Sequence, residues 1–179
     1  MCKNKIAMPL HLACSADENY HPVMCHVHFK GGFAYASDGC IMVKQSLAYM
    51  SIENPEALNG KMIHRNVFKE ICRCSSAVAT PDGIECTKNG VNMMLPFGSC
   101  DAKPPNFDAV VPDYEPAGVV KLMISPVSFD TAAKCLYSNG RDRINLVFYG
   151  DGKMIKMSVY DYPDQFALVV PFHVNDYSS

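Results

Sequence analysis

The chain lacks the features that mark membrane, secreted and metal-centred proteins. No apolar run approaches the roughly 18 residues that a membrane helix needs, and Pro9 interrupts the opening Met1-Cys2-Lys3-Asn4-Lys5-Ile6-Ala7-Met8 before a signal-peptide core can form. Its nine cysteines are odd in number, spread over a long chain and preceded by no secretory signal. Reduced thiols in a soluble, cytoplasmic protein are therefore expected, not a disulfide framework. The one close pair, Cys72-Arg73-Cys74, lacks the gap of a zinc knuckle and has no second pair at metal-site spacing, so neither metal nor cofactor is expected. There is no Gly-x-Ser-x-Gly elbow, phosphate loop or dinucleotide glycine fingerprint. Cys14, Cys40, Cys100 and Cys135 have no evident His-and-acid arrangement, so they read as core thiols and no enzyme is expected. A large charge excess is missing as well. A net charge of −2 argues against indiscriminate coating of nucleic acid but allows a local basic face.

What is present is an apolar content of 49% over 179 residues, enough for a substantial core. A strand, a helix and three strands also recur at intervals of about sixty residues. The third unit reads most clearly. Val119 to Ile124 is strand-like, Ser125-Pro126 supplies an N-cap and first helical residue, and Val127, Ala132, Ala133 and Leu136 carry helical spacing toward Ser138-Asn139-Gly140. Strands follow at Ile144 to Tyr149, Met154 to Tyr160 and Phe166 to His173, with a turn expected at Tyr162-Pro163-Asp164-Gln165. The second unit has a strand at Lys61 to Ile63, a helix core from Asn66 to Cys74, and strands near Ala77 to Thr80, Ile84 to Thr87 and Val91 to Leu95. Its Lys88-Asn89-Gly90 is a strong hairpin signal. The first unit offers a short helix from Leu10 to Ala16, then strands Val23 to Phe29, Phe33 to Ala36 and Cys40 to Gln45. Alternation puts His26 and His28 on one face of their strand, the expected solvent face, where surface placement outweighs metal ligation.

Two phrases carry a family likeness. Ala36-Ser37-Asp38-Gly39-Cys40-Ile41-Met42-Val43 is a turn between apolar strands, and Pro105-Asn106-Phe107-Asp108-Ala109-Val110-Val111-Pro112 follows some seventy residues later. In this order and spacing they resemble the bacterial DNA sliding clamp, the beta subunit of DNA polymerase III, of which the chain would be a shortened, divergent member. The resemblance implies an α+β, clamp-like fold of repeated strand-helix-three-strand units with antiparallel sheets and one helix per unit. It implies a two-unit domain over residues 1–116 and a half domain over 117–179 packed on it.

Function follows from the same resemblance: sequence-independent duplex DNA binding, with a DNA polymerase and a clamp loader as partners and homo-oligomers as the means of closure. Three units per chain would need four chains for the family's twelve-unit ring. The alternative is a clamp-fold interaction or regulatory module that does not encircle DNA. Arg65, Lys69 and Arg73 are spaced i, i+4, i+8 opposite Val67, Phe68, Ile71 and Cys72, a cationic stripe suited to phosphates. Charged residues on the outer face of any amphipathic helix account for the same spacing. Lys134, Arg141 and Arg143 extend the candidate DNA-binding set, offset in part by Asp130 and Asp142. The first-unit helix carries His11 and no Lys or Arg, a departure from the family. Val170, Pro171 and Phe172 align with the family's partner-peptide pocket.

Overall fold

A computed structural model describes residues 6–19, 21–100, 103–111, 123–136, 143–150 and 153–172. The first unit forms β1 (His26–Lys30), β2 (Phe33–Ser37) and β3 (Ile41–Ser46), a meander with antiparallel pairing throughout. Its first turn is Gly31-Gly32, with φ of 58° and 83°, the left-handed conformation that a two-residue hairpin loop requires. In the second turn the Asp38 carboxylate accepts hydrogen bonds from the amides of Cys40 and Ile41, both at 2.9 Å. Short β4 (Ile52–Glu53) and β5 (Met62–His64) lead into α1 (Arg65–Ile71) and then β6 (Ser76–Ala79), β7 (Gly83–Lys88) and β8 (Val91–Pro96). The third unit supplies α2 (Pro126–Leu136), β9 (Ile144–Phe148), β10 (Ile155–Val159) and β11 (Tyr162–Val169). Its expected first strand lies mostly outside the described residues, with Met123 making one bridge to Phe172.

These strands make two sheets. One has the order β5-β1-β2-β3-β11-β10-β9 and the other β4-β6-β7-β8. All pairs are antiparallel except β4 with β6. The third unit is thus joined to the first through β3 and β11, with Ile41 opposite Val169 and Lys44 opposite Phe166. Chain order also crosses between sheets within the first two units, since β5 pairs with β1 and β4 with β6.

Several element boundaries differ from the sequence reading. The Tyr162 to Gln165 turn is instead the irregular start of β11: Ser158 faces Phe166 while Val159 faces Tyr162. Pro163 is accommodated because the bulge removes the need for its missing amide. The strand end expected at His173 comes at Val169. The first helix shrinks to a single 3-10 turn, Leu10–Leu12, behind Pro9. That segment is nonetheless buried through Ile6, Met8, Leu10 and Ala13. The carbonyls of Met8, Pro9 and Leu10 accept the amides of Leu10, Leu12 and Ala13 within the turn, and thiols add a second bond to each. Cys135 Sγ donates to Pro9 O at 3.5 Å, Cys72 Sγ to Met8 O at 3.7 Å and Cys14 Sγ to Leu10 O at 3.6 Å. Among the four cysteines read as core, Cys40 is exposed and Cys100 half-buried.

The described part of the second phrase, residues 105–111, closes the opposite face of the large sheet. Phe107 stacks on Tyr35 at 5.0 Å between ring centroids, and Asp108 accepts hydrogen bonds from Lys30 Nζ at 2.8 Å and the Tyr35 hydroxyl at 3.3 Å. Burial beside the Asp108 carboxylate pushes the Tyr35 phenol up to about 12.

His26 and His28 share this face, but it is not solvent: they are only 8% and 5% exposed. The 3-10 turn Pro22–Cys25, the backbone at Gly98 and the Phe107 ring cover them. His26 Nδ1 donates to Pro22 O at 3.0 Å and His28 Nε2 to Val23 O at 2.8 Å. A Cβ at Gly98 would sit 2.6 Å from His26 Cδ2, so only glycine lets that strand exit lie on the ring. His64 stands 5.2 Å from His26, centroid to centroid. Its Nδ1 accepts from the Asn66 amide at 3.3 Å, capping α1, while Nε2 lies 3.2 Å from Glu18 Oε1.

Burial holds His26 and His28 below the ordinary value of 6.5. Below that value the unfolded chain takes up protons that the folded one refuses. Their contribution to stability is therefore complete above about pH 6.5 and lost as pH falls further. The melting temperature should be flat from pH 8 to 7 and fall steadily below about 6.5. His28→Gln should flatten the acid limb, and an unchanged limb would contradict this placement of the ring.

Candidate nucleic-acid interface

Helix α1 owes its position to Phe68 and Ile71, both fully buried against the sheet. Phe68 packs on Phe29 of β1 at 6.4 Å between centroids. The helix ends at Ile71, two residues before Arg73, which lies in the following turn with its amide on Glu70 O. The stripe is therefore shorter than the spacing suggested. Arg65 and Lys69 stand on the helix, and Arg73 folds back so that Nη1 donates to Glu70 Oε1 at 2.7 Å.

The same carboxylate accepts from Lys88 Nζ at 2.6 Å. Lys88 first and Arg73 next hold the Glu70 carboxyl below its ordinary value. The Glu70–Arg73 spacing of i, i+3 is readable in the sequence. The Lys88 contact is not, because it depends on how β7 passes the helix. Arg65 Nη1 donates to Cys14 O at 3.4 Å, tying the start of α1 to the N-terminal segment. Among the described residues neither Arg65 nor Lys69 forms an ion pair with a carboxylate.

His11 lies beside this group, in the turn that packs on α1. Burial, then Lys69, Arg65 and Arg73, hold its imidazole below the ordinary value. It was legible only as a histidine without a basic neighbour in sequence. Its three cationic neighbours come from α1 and the turn after it, more than fifty positions away.

The other candidates stand apart. On α2, Ser125 Oγ accepts from the Ser128 amide at 3.3 Å, the expected N-cap. Lys134 is paired with Asp130 at 2.6 Å, both exposed. Arg141 lies outside the described residues. Arg143 is exposed just before β9, the strand at the far end of the large sheet from β5. Six inter-strand steps separate β5 from β9, about 29 Å at the usual spacing. Arg143 is therefore not brought together with α1. Val170 donates its amide to Cys40 O at 3.0 Å and Phe172 to Met123 O at 2.7 Å. Val170 and Phe172 remain exposed beside exposed Met123, whereas Pro171 is buried. Among the described residues no group of three or more His, Cys, Asp or Glu is placed to hold a metal ion.

No protein-family model and no curated protein sequence matches the chain. Solved structures do. The DNA polymerase sliding clamp from Bacillus subtilis is similar over 96% of this chain and 64% of its own length, with 13% identity and a TM-score of 0.65. DNA polymerase III subunit beta from Borrelia burgdorferi is similar over 92% and 60%, with 10% identity and a TM-score of 0.64. The corresponding subunit from Pseudomonas aeruginosa is similar over 92% and 62%, with 13% identity and a TM-score of 0.59. The chain thus spans less than two thirds of each. With sheets and helices arranged as described, it has the mixed α+β fold of the bacterial sliding clamps.

Proposed function

We propose that this protein is a clamp-like, sequence-independent holder of duplex DNA that tethers a polymerase in the cytoplasm. The observation that carries the reading is α1, where Arg65 and Lys69 present positive charge with no carboxylate partner among the described residues. Cations of this kind meet phosphates, release counterions and read no bases. Arg73 is a weaker contributor because Glu70 holds it. Lys134, Arg141 and Arg143 would add contacts only where the duplex path passes the third unit. Val170 and Phe172, with Met123, offer exposed apolar surface for a partner peptide from the polymerase or a loader.

Assembly belongs to the same reading. A domain division at residues 116 and 117 would leave a half domain, and the described strands of the third unit continue the sheet of the first. The end strands β8 and β9 carry no charged residue, and Val91, Met94, Leu146 and Phe148 are exposed on them. Uncharged edge strands invite pairing with another chain. Four chains would supply twelve units.

The second reading, an interaction module that does not encircle DNA, is favoured by the net charge of −2, the neutralised Lys134 and the first-unit helix reduced to one turn.

Fluorescence anisotropy on a mixed-sequence duplex in low salt separates the two. Reversal of Arg65, Lys69 and Arg73 to Glu together should weaken binding by roughly 10- to 100-fold; unchanged affinity would overturn the role of α1. Light scattering over a dilution series should return a multi-chain species, and a monomer throughout would remove encirclement by this chain alone.

A further inference from the structure

We propose that Lys44 and Lys156 form a docking site for an extended acidic segment of a partner protein, on the face of the seven-stranded sheet that points away from the helices.

Strand alternation puts the pair there. On β3 and β11 the core takes Val43 and Ala167, so Lys44 and Phe166 project from the opposite face, directly across from each other. Tyr35 of β2 continues this row beyond Lys44, and Ser158 of β10 continues it beyond Phe166. Lys156, two residues before Ser158 and opposite Leu168, shares the face. Helix α1 packs on Phe29, from the other side of the sheet. The site is therefore separate from the cations of α1, and the inference stands whether or not the chain holds DNA.

Surface lysines usually carry their ammonium groups into water on mobile stems. These two are half-buried and lie on rings. Lys44 Nζ is 4.0 Å from the Phe33 centroid and 5.7 Å from those of both Tyr35 and Phe166, and Lys156 Nζ is 4.6 Å from the Phe166 centroid. Attraction to the ring faces fixes where both charges stand. Two like charges over one ring repel, and among the described residues neither pairs with a carboxylate. Asp108 is within electrostatic reach of Lys44, but Lys30 Nζ holds it at 2.8 Å and the Tyr35 hydroxyl at 3.3 Å. Asp164, in the irregular start of β11, is exposed and pairs with neither lysine.

Two fixed cations short of an anion are complementary to two carboxylates held at a similar spacing. An extended chain supplies them, because side chains two residues apart share a face at about 7 Å. Both ammonium groups reach one ring, which keeps them within span of such a pair. Nucleic acid fits less well. It gains from open ring faces on which bases stack, and here Tyr35 and Phe166 are buried.

The test uses the full chain and a fluorescein-labelled peptide of four Glu-Ser repeats, with four Gln-Ser repeats as the neutral counterpart. In low salt, fluorescence anisotropy should show the Glu peptide binding at least about threefold more tightly than the Gln peptide. Lys44→Met together with Lys156→Met keeps apolar stems on the rings and removes both charges. It should weaken the Glu peptide by roughly three- to tenfold. In the unmutated chain, titration with the Glu peptide should move the side-chain resonances of Lys44 and Lys156, a readout that needs no variant to fold. Equal binding of the two peptides, no binding of either, unmoved lysine resonances, or full affinity in the double variant would overturn the inference. So would displacement of the Glu peptide by a single-stranded oligothymidine at lower concentration than by unlabelled Glu peptide, which would assign the face to nucleic acid.

Discussion

Beyond Leu136 the described third unit reaches the rest of the molecule chiefly through one ladder, in which Ile41 to Lys44 of β3 pair with Phe166 to Val169 of β11. Backbone pairing of two apolar strands fixes register, since a slip by one residue would turn Val43 and Ala167 from the core to the outer face. Both are fully buried, as is Val169. The ladder thereby sets α2 over the same core that holds α1. Between the two helices lies the N-terminal segment, its carbonyls met by Cys72 from beside α1 and by Cys135 from α2. Those carbonyls already accept amides of the turn itself, so each thiol takes a second lone pair and ties the turn to a helix. Thiols are small enough to do so without displacing core side chains such as Leu10.

Turn chemistry made much of this architecture legible. Asp38-Gly39 and Asn89-Gly90 marked turns, and hairpins formed where those residues stand. Ser125-Pro126 likewise placed the start of α2. Pro163 misled because proline was read as a turn residue, whereas a bulge in β11 tolerates it. The histidines show a deeper limit. Alternation placed His26 and His28 on one face correctly, but whether that face is wet depends on Pro22–Cys25, Gly98 and Phe107. Two of these lie some seventy to eighty positions away in the chain. Pairing periodicity is local; covering is not.

The candidate interface divides in the same way. The i, i+4 relation of Arg65 to Lys69 is a property of the helix alone. Which cations remain uncompensated is decided partly by local pairs, Glu70 with Arg73 at i, i+3 and Asp130 with Lys134 at i, i+4, and partly by one tertiary contact, Lys88 to Glu70. A chain with a net charge of −2 thus keeps a small region where positive charge is unopposed. On the proposed DNA reading, its acidic balance elsewhere would limit adhesion away from that region.

The salt dependence of duplex affinity tests this account most directly. For two unrelated duplexes of equal length, the logarithm of the binding constant should fall linearly with the logarithm of salt, by about 0.9 for each phosphate contacted, with the same slope and affinity for both. A flat dependence, or a strong preference for one sequence, would contradict it.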